Sequence, residues 1–222
     1  MTALGWLADM ASGLKQRVDG ARVERRWRRL RALGMHIGEQ VNLPASTWID
    51  DSHCFLISIG DRCGFGEQCH ILAHDAQMNE FLDATRIGRV IIHASCHVGA
   101  RTVILPGVEI GPRTIVGANS VVSRSLPPDT VCAGAPAKAI CSLEEYLAKH
   151  REGIRTSPTF YYATHDVDVI APEAKAQMVQ LLAHRVGYML GGYSAMVRGA
   201  GGPLLTPATA NHGSPQERVP RQ

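Results

Sequence analysis

The chain has 222 residues, which is enough for one domain with appendages but too short for two large cores. Its 22 glycines against 5% aromatic residues favour turns and small packed side chains over a helical bundle. A formal net charge of +3 is too small to indicate nucleic-acid binding. No apolar run approaches the ~18–20 residues of a membrane span, and the N-terminus has no leader pattern, so we expect a cytoplasmic protein.

The first predicted element is an N-terminal helical segment, residues 1–36. Apolar residues recur there at three- to five-residue spacing among a cluster of arginines, which is typical of an amphipathic helix. We expect the apolar face to pack on the main domain and the basic face to lie in solvent. Weak association of the basic face with an acidic membrane surface is the alternative.

Residues 37–141 carry a six-residue repeat. A large aliphatic or aromatic residue heads each unit, and a small or β-branched residue fills the fifth place. The heads are Ile37, Leu43, Ile49, Ile59, Phe65, Ile71, Ile92, Val98, Ile104, Ile110, Val116 and Val122. Three such units close one triangular coil, so we predict a mainly β fold, a parallel β-helix of about five stacked coils.

The second and fifth places of the repeat support two further predictions. Glycine often follows the head, where we expect it to supply a tight-corner backbone conformation. These glycines are Gly38, Gly60, Gly66, Gly99, Gly111 and Gly117. The fifth-place residues Cys63, Cys69 and Cys96 should be small core side chains, and since no CxxC pair is present we expect no metal.

The repeat breaks twice, and a solenoid ejects insertions on one face, often the binding face. The first break is a slip between Ile49 and Ile59. The second encloses residues 75–86, a polar segment that cannot form another coil. We expect this segment to loop out with His74 at its root.

Beyond the repeat, residues 142–198 are predicted to form a helical extension and residues 199–222 a disordered tail. Ser142 and Glu145 have the spacing of a capping box for a helix that continues to about His150. A second helix is predicted from Pro172 to Leu190, with proline in its first turn.

These residues resemble the hexapeptide-repeat acyltransferases, in the branch of galactoside, maltose and polysaccharide O-acetyltransferases. The resemblance covers about residues 37–141. It rests on Ile59-Gly60-Asp61, on His74 before the ejected loop, and on residues 98–122 and 134–140. It implies a left-handed coil, a homotrimer with active sites between neighbouring subunits, and acetyl-coenzyme A as co-substrate without a metal.

The same resemblance implies roles for individual residues. His74 corresponds to the general base, because a sugar hydroxyl needs a group that accepts its proton near neutral pH. The carboxylate partner stays open among Asp75, another acidic residue of the loop and one from a neighbouring subunit. The amide of Ala100 falls in the oxyanion position. Expected cofactor contacts are Ala100, Gly117, Ala118, Ser123, Arg124 and Lys138, and expected acceptor contacts are Trp48 and Asp75.

The function expected from this resemblance is an acetyl-coenzyme-A-dependent O-acetyltransferase acting on a sugar or polysaccharide precursor. N-acetylation of an amino sugar, or acetylation of an antibiotic, is the alternative. A γ-type carbonic anhydrase with zinc on His70, His93 and His97 is disfavoured, because His93 and His97 differ by four positions rather than the five that such a pair needs. A non-catalytic scaffold is disfavoured by the histidine at the root of the loop. The expected partners are therefore a second and third copy of the chain and a small-molecule or saccharide acceptor, with no nucleic acid.

Overall fold

The computed structural model describes residues 23–192, which belong to two compact units divided after Arg155. The described part of the first unit starts with helix α1, residues 23–32, and continues as a parallel β-helix. Within the described residues, no helix is both long and apolar enough to cross a membrane.

Short strands follow one another through the first unit. They are β1 (His36–Ile37), β2 (Trp48–Ile49), β3 (Ile57–Ile59), β4 (Gly64–Phe65), β5 (His70–Ile71), β6 (His74–Asp75), β7 (Arg86–Ile87), β8 (Val90–Ile92), β9 (His97–Val98), β10 (Val103–Ile104), β11 (Glu109–Ile110), β12 (Ile115–Val116), β13 (Val121–Val122), β14 (Thr130–Ala133) and β15 (Lys138–Ser142). Helix α2 (Asn79–Leu82) separates β6 from β7, and helix α3 (Leu143–Thr156) follows β15.

The strands stack on three faces, with each strand parallel to the one a turn later. Face A contains β1, β3, β8 and β11; face B contains β4, β9, β12 and β14; face C contains β2, β5, β10 and β13. The structure therefore has four complete turns where about five were expected. A fifth turn begins where Leu126 bridges Ile110 and where β14 pairs with β12, and β15 then turns back antiparallel.

The core consists of the predicted heads. Every head except Ile37 is buried, and Ile37 packs against them partly buried. Cys63, Cys69 and Cys96 are buried free thiols, as predicted. The Cys63 thiol donates to the His93 carbonyl at 3.0 Å, so the fifth-place residues also satisfy buried corner carbonyls.

The second-place glycines have a different role from the predicted one. The left-handed conformation falls two residues later, on Gln40, Arg62, Gln68, Ser95, Arg101, Gly107, Arg113, Asn119 and Asp129. A Cβ added to Gly60 would instead lie 2.7 Å from the backbone nitrogen of Ala94 in the next turn. The prediction of a corner conformation is wrong, and these glycines are needed because successive turns approach closely.

Helix α1 packs on the first turn through its apolar side. Trp27 and Leu30 are buried in the same cluster as Leu43, and Arg26 donates to the Thr47 carbonyl at 2.7 Å. The predicted helix before residue 23 and the predicted tail lie outside the described residues. Membrane-surface association of the basic face stays a prediction.

Helix α3 begins with the predicted capping box. The Glu145 amide donates to Ser142 Oγ at 3.1 Å, and the Ser142 amide donates to Glu145 Oε2 at 2.8 Å. The helix is longer than predicted, because it continues past His150 to Thr156.

The extension beyond α3 contains strands as well as helices. Its elements are β16 (Thr159–Tyr161), α4 (Tyr162–His165), α5 (Pro172–Leu181) and β17 (Tyr188–Leu190). The prediction of a helix to Leu190 is wrong at its C-terminal end, because β17 pairs in parallel with β16. The Tyr188 amide donates to the Pro158 carbonyl at 2.9 Å, a long-range pairing that helical periodicity does not reveal.

Candidate active site

One corner of the β-helix, which follows face C, differs from the other two. The residues after the heads are Asp50, Leu72, Leu105 and Ser123 at this C corner, whereas glycine takes that place in three of four turns at each other corner. The turns still stack, because the Asp50 amide donates to the Ile71 carbonyl at 3.0 Å. Both breaks of the repeat begin at the C corner.

The first break holds a buried carboxylate, that of Asp50, in a fixed orientation. Its side chain is only 1% exposed. Oδ1 accepts hydrogen bonds from the Ser52 hydroxyl at 2.6 Å and from the backbone amides of Ser52 and His53 at 3.2 and 3.3 Å. Oδ2 accepts one from the Ala73 amide at 3.2 Å. These bonds compensate the burial of the charge.

Asp50 and His74 form a dyad, in which Nδ1 of the imidazole lies 2.5 Å from Oδ2 of the carboxylate. Burial by itself would raise the pKa of Asp50, but hydrogen bonds from Ser52 and His74 outweigh it and hold that pKa below its ordinary value. An ionised carboxylate only accepts hydrogen bonds, so Nδ1 is the donor in this contact, and in the neutral imidazole the lone pair is then on Nε2.

A second histidine, His53, lies beside the dyad. Its ring centroid is 5.1 Å from that of His74, and its Nδ1 lies 2.9 Å from Ser52 Oγ and 3.9 Å from Asp50 Oδ2. The donor atoms of Asp50, His53 and His74 all lie within 4.8 Å of one another. Sequence reasoning missed both His53 and Asp50.

The carboxylate that the chain itself brings to His74 is Asp50, which was not among the candidates that the sequence left open. Asp75 Oδ1 accepts a hydrogen bond from the Gln77 amide at 3.0 Å, and Asp75 pairs with Arg86 across a hairpin. Two sequence signals could have indicated Asp50. It begins the first break, and it lies in the only column of the repeat that has no second-place glycine.

The ejected segment forms the β6–α2–β7 hairpin, with His74 at its root. Three apolar side chains of this hairpin, Phe81, Leu82 and Ile87, are 80%, 69% and 57% exposed. The Arg86 side chain anchors the hairpin by donating to the Pro106 carbonyl at 3.1 Å. The hairpin therefore presents an apolar surface next to the dyad.

Three predicted cofactor residues, Ala100, Gly117 and Ala118, lie together at the corner after face B. The Asn119 amide donates to the Ala100 carbonyl at 2.9 Å, so the two turns are stacked there. Gly117 lies against Ala133, which pairs with the predicted residue Lys138 in the β14–β15 ladder.

The remaining predicted cofactor residues, Ser123 and Arg124, follow β13 at the C corner, on the side of Asp50. Ala100, Gly117 and Ala118 therefore lie at one edge of face C, and Ser123 and Arg124 lie at the other.

Trp48 lies on the outer surface of face C and is 44% exposed. Its ring stacks on that of His70, with centroids 5.9 Å apart and planes at 27°. Strand β2 leads directly from Trp48 into Asp50, and β5 leads from His70 toward His74. The aromatic pair therefore borders the dyad.

The histidines of the carbonic-anhydrase alternative do not converge within the chain. His70 lies on face C, His97 on face B, and His93 at the corner after face A. The His93 Nε2 atom is instead 2.6 Å from Glu109 Oε1.

Comparison with known proteins agrees with this architecture. The family model described as bacterial transferase hexapeptide (six repeats) matches residues 89–124. The putative acetyltransferase YvoF of Bacillus subtilis is 34% identical over 51% of this chain and 63% of its own length, so the chain spans less than two thirds of that relative. A hexapeptide-repeat acetyltransferase of Vibrio cholerae, solved with acetyl-coenzyme A, is 24% identical with a TM-score of 0.45, over 54% of this chain and 77% of its own.

A further relative is matched over more of its length. The putative colanic acid biosynthesis acetyltransferase WcaF of Escherichia coli is 32% identical over 52% of this chain and 74% of its own length. With the three-faced β-helix and its columns of buried heads, the chain belongs to the hexapeptide-repeat acetyltransferase family.

Proposed function

We propose that the protein is an acetyl-coenzyme-A-dependent O-acetyltransferase that acetylates a hydroxyl group of a sugar or polysaccharide precursor. The observation that carries this proposal is the 2.5 Å contact between His74 Nδ1 and the buried carboxylate of Asp50. Family membership supports the acetyl donor, since WcaF, the relative that shows the family, is named an acetyltransferase. The name of WcaF, a colanic acid biosynthesis acetyltransferase, supports a saccharide acceptor.

The dyad explains how a weak nucleophile can attack a thioester. His74 Nε2 takes the proton from the acceptor hydroxyl as its oxygen forms a bond to the thioester carbonyl carbon. Asp50 stabilises the imidazolium that results and fixes the ring tautomer. The tetrahedral intermediate then expels the coenzyme A thiolate, which recovers the proton from His74. No acyl-enzyme is needed.

The oxyanion of that intermediate is proposed to meet the amide of Ala100. Within one chain, this amide and the dyad lie on opposite edges of face C. The face is roughly 15 Å wide, because each turn crosses it with four to five extended residues. We therefore propose a homotrimer of left-handed coils, in which the dyad of one subunit faces the corner with Ala100, Gly117 and Ala118 of the next. The exposed apolar hairpin residues Phe81 and Leu82 suit such a contact.

Trp48 and His70 are the proposed acceptor contacts. A pyranose ring has an apolar C–H face that stacks on exposed aromatic rings, and its hydroxyl edge would then face the dyad. Ser123, Arg124 and Lys138 are proposed cofactor contacts, with Arg124 and Lys138 as cations for the coenzyme A phosphates.

The test measures release of free thiol from acetyl-coenzyme A with a panel of sugars, amino sugars and aminoglycoside antibiotics. We expect His74→Ala to lower the rate by roughly 10²- to 10⁴-fold, the range for loss of a general base. The matched control is His93→Ala, which removes another surface imidazole and should leave the rate unchanged.

Three results would contradict parts of the proposal. An unchanged rate in His74→Ala would exclude the dyad as the base. Activity confined to amine acceptors would replace O-acetylation by N-acetylation. Absence of thiol release with every acceptor, together with no coenzyme A binding by calorimetry, would favour a scaffold. Sedimentation at working concentration checks the trimer.

A further inference from the structure

Asp50, His53 and His74 surround one point with an oxygen and two nitrogens that are metal ligands in many proteins. Both histidines direct Nδ1 toward the same carboxylate oxygen, Asp50 Oδ2, at 2.5 Å from His74 and 3.9 Å from His53. Among the histidine, cysteine, aspartate and glutamate side chains of residues 23–192, these three form the group whose donor atoms lie close enough to one another to share an ion.

The donor set fits a borderline divalent cation of the zinc class. Imidazole nitrogen and carboxylate oxygen bind Zn²⁺ at about 2.0–2.2 Å, which places tetrahedral donors about 3.3 Å apart. The His74–Asp50 contact must lengthen and the His53–Asp50 contact shorten, each by less than about 1 Å. Both histidine side chains are 31% exposed, so they can make these adjustments and leave an open side for the ion's entry.

The surroundings of Asp50 also suit a metal ligand. Oδ1 is held by the Ser52 hydroxyl and by the backbone amides of Ser52 and His53, while Oδ2 accepts from the Ala73 amide and faces the two imidazoles. Such hydrogen bonds to the distal oxygen orient ligating carboxylates and support their affinity for the ion.

We propose that Asp50, His53 and His74 form a binding site for one divalent transition-metal ion of the zinc class, and that the bound ion inhibits acetyl transfer. The ion takes the Nδ1 lone pair of His74, and the ring proton moves to Nε2. An imidazole that carries its proton on Nε2 cannot accept one from the acceptor hydroxyl. The inhibition rests on the proposed function, whereas the binding does not.

Binding is tested on the full chain without acetyl-coenzyme A, after treatment with a chelator. Calorimetric titration with ZnCl₂ should show one ion per chain, and CoCl₂ should produce visible absorption bands that Zn²⁺ displaces. We expect His53→Ala to weaken zinc binding at least ~10-fold. His93→Ala is the matched control, because it removes a surface histidine that also pairs with a carboxylate, and its affinity should equal that of the parent.

Two outcomes overturn the site. One is the absence of stoichiometric binding. The other is binding that both His53→Ala and Asp50→Asn leave unchanged. Since His53 is partly exposed and outside the dyad, its variant should keep the fold, which thermal unfolding checks.

The inhibition is tested with whichever acceptor supports thiol release. One equivalent of Zn²⁺ should abolish the parent rate, and a chelator should restore it. Measured against its own rate without zinc, His53→Ala should require at least ~10-fold more zinc for the same fractional inhibition. Equal zinc sensitivity in His53→Ala would refute the inhibitory role. If no acceptor reacts, the calorimetric result still decides the site, so failure of the proposed function is distinguishable.

Discussion

The C corner and the unbroken stretch of residues 92–122 follow the same repeat but differ in what their side chains do. In the unbroken stretch, the heads fill the core and second-place glycines such as Gly99 and Gly111 let successive turns approach. At the C corner, Asp50 replaces such a glycine, and the chain leaves the coil near both Asp50 and His74. Regular positions of the solenoid therefore stabilise the fold, and its irregular corner concentrates polar, chemically active side chains.

The substitution expected to have the largest effect is Asp50→Asn at the C corner, and the property it changes is the rate of acetyl transfer. The amide of asparagine can donate to Nδ1 of His74, which moves the ring proton to Nε2 and removes the base. We expect kcat for acetyl transfer to fall roughly 10²- to 10⁴-fold in chelator-treated protein. The measurement is thiol release at saturating acetyl-coenzyme A.

Asp75→Asn is the control for this substitution, because Asp75 is the neighbouring carboxylate that accepts from Gln77 in the hairpin. Its kcat should stay close to that of the parent. A larger loss of kcat in Asp75→Asn than in Asp50→Asn would indicate that Asp75 of the loop, and not Asp50, is the carboxylate partner of His74.

Periodicity was enough to predict most of the regular part of the fold. The heads and the fifth-place cysteines Cys63, Cys69 and Cys96 are buried as the six-residue spacing requires. The left-handed residues were missed because Gln68, Arg101 and others occupy that place without a common residue type. The end of α5 was missed because β17 depends on pairing with β16, a contact distant in sequence.

The site was only partly predictable for a related reason. His74 could be found from its position at the root of a break. Asp50 lies 24 residues earlier, and only the stacking of turns brings it within 2.5 Å of His74. Its exceptional place in a column without glycine becomes visible once the turns are aligned by face rather than by sequence alone.

The next largest effect is expected on the free energy of unfolding, in the substitution Gly60→Ala at a regular corner. A Cβ in Gly60→Ala would lie 2.7 Å from the Ala94 nitrogen, and this backbone cannot move without displacing the next turn. We expect the free energy of unfolding to fall by about 1–3 kcal/mol, measured by denaturant titration, with kcat unchanged.

Arg62→Gly is the matched substitution, two residues further along the same corner. Arg62 has φ +56°, so glycine relieves left-handed strain while it adds conformational entropy to the unfolded chain. These effects are of similar size, and we expect the free energy of unfolding to change by less than about 1 kcal/mol. A gain of stability in Arg62→Gly together with no loss in Gly60→Ala would mean that corner conformation, not close stacking, selects glycine.

The smallest effect on the free energy of unfolding is expected at two threonines, Thr102 in the unbroken stretch and Thr47 in the first turn, just before the break. The Thr102 hydroxyl donates to the Gly99 carbonyl at 2.8 Å, whereas the buried Thr47 hydroxyl has no hydrogen-bond partner among the described residues. In denaturant titrations, Thr102→Val should lower the free energy of unfolding by about 1 kcal/mol, and Thr47→Val should leave it unchanged or raise it. Equal losses would show that the two hydroxyls are equally satisfied. Both threonines hold the fifth place after a face B head, so volume and β-branching are matched and the difference isolates the hydrogen bond.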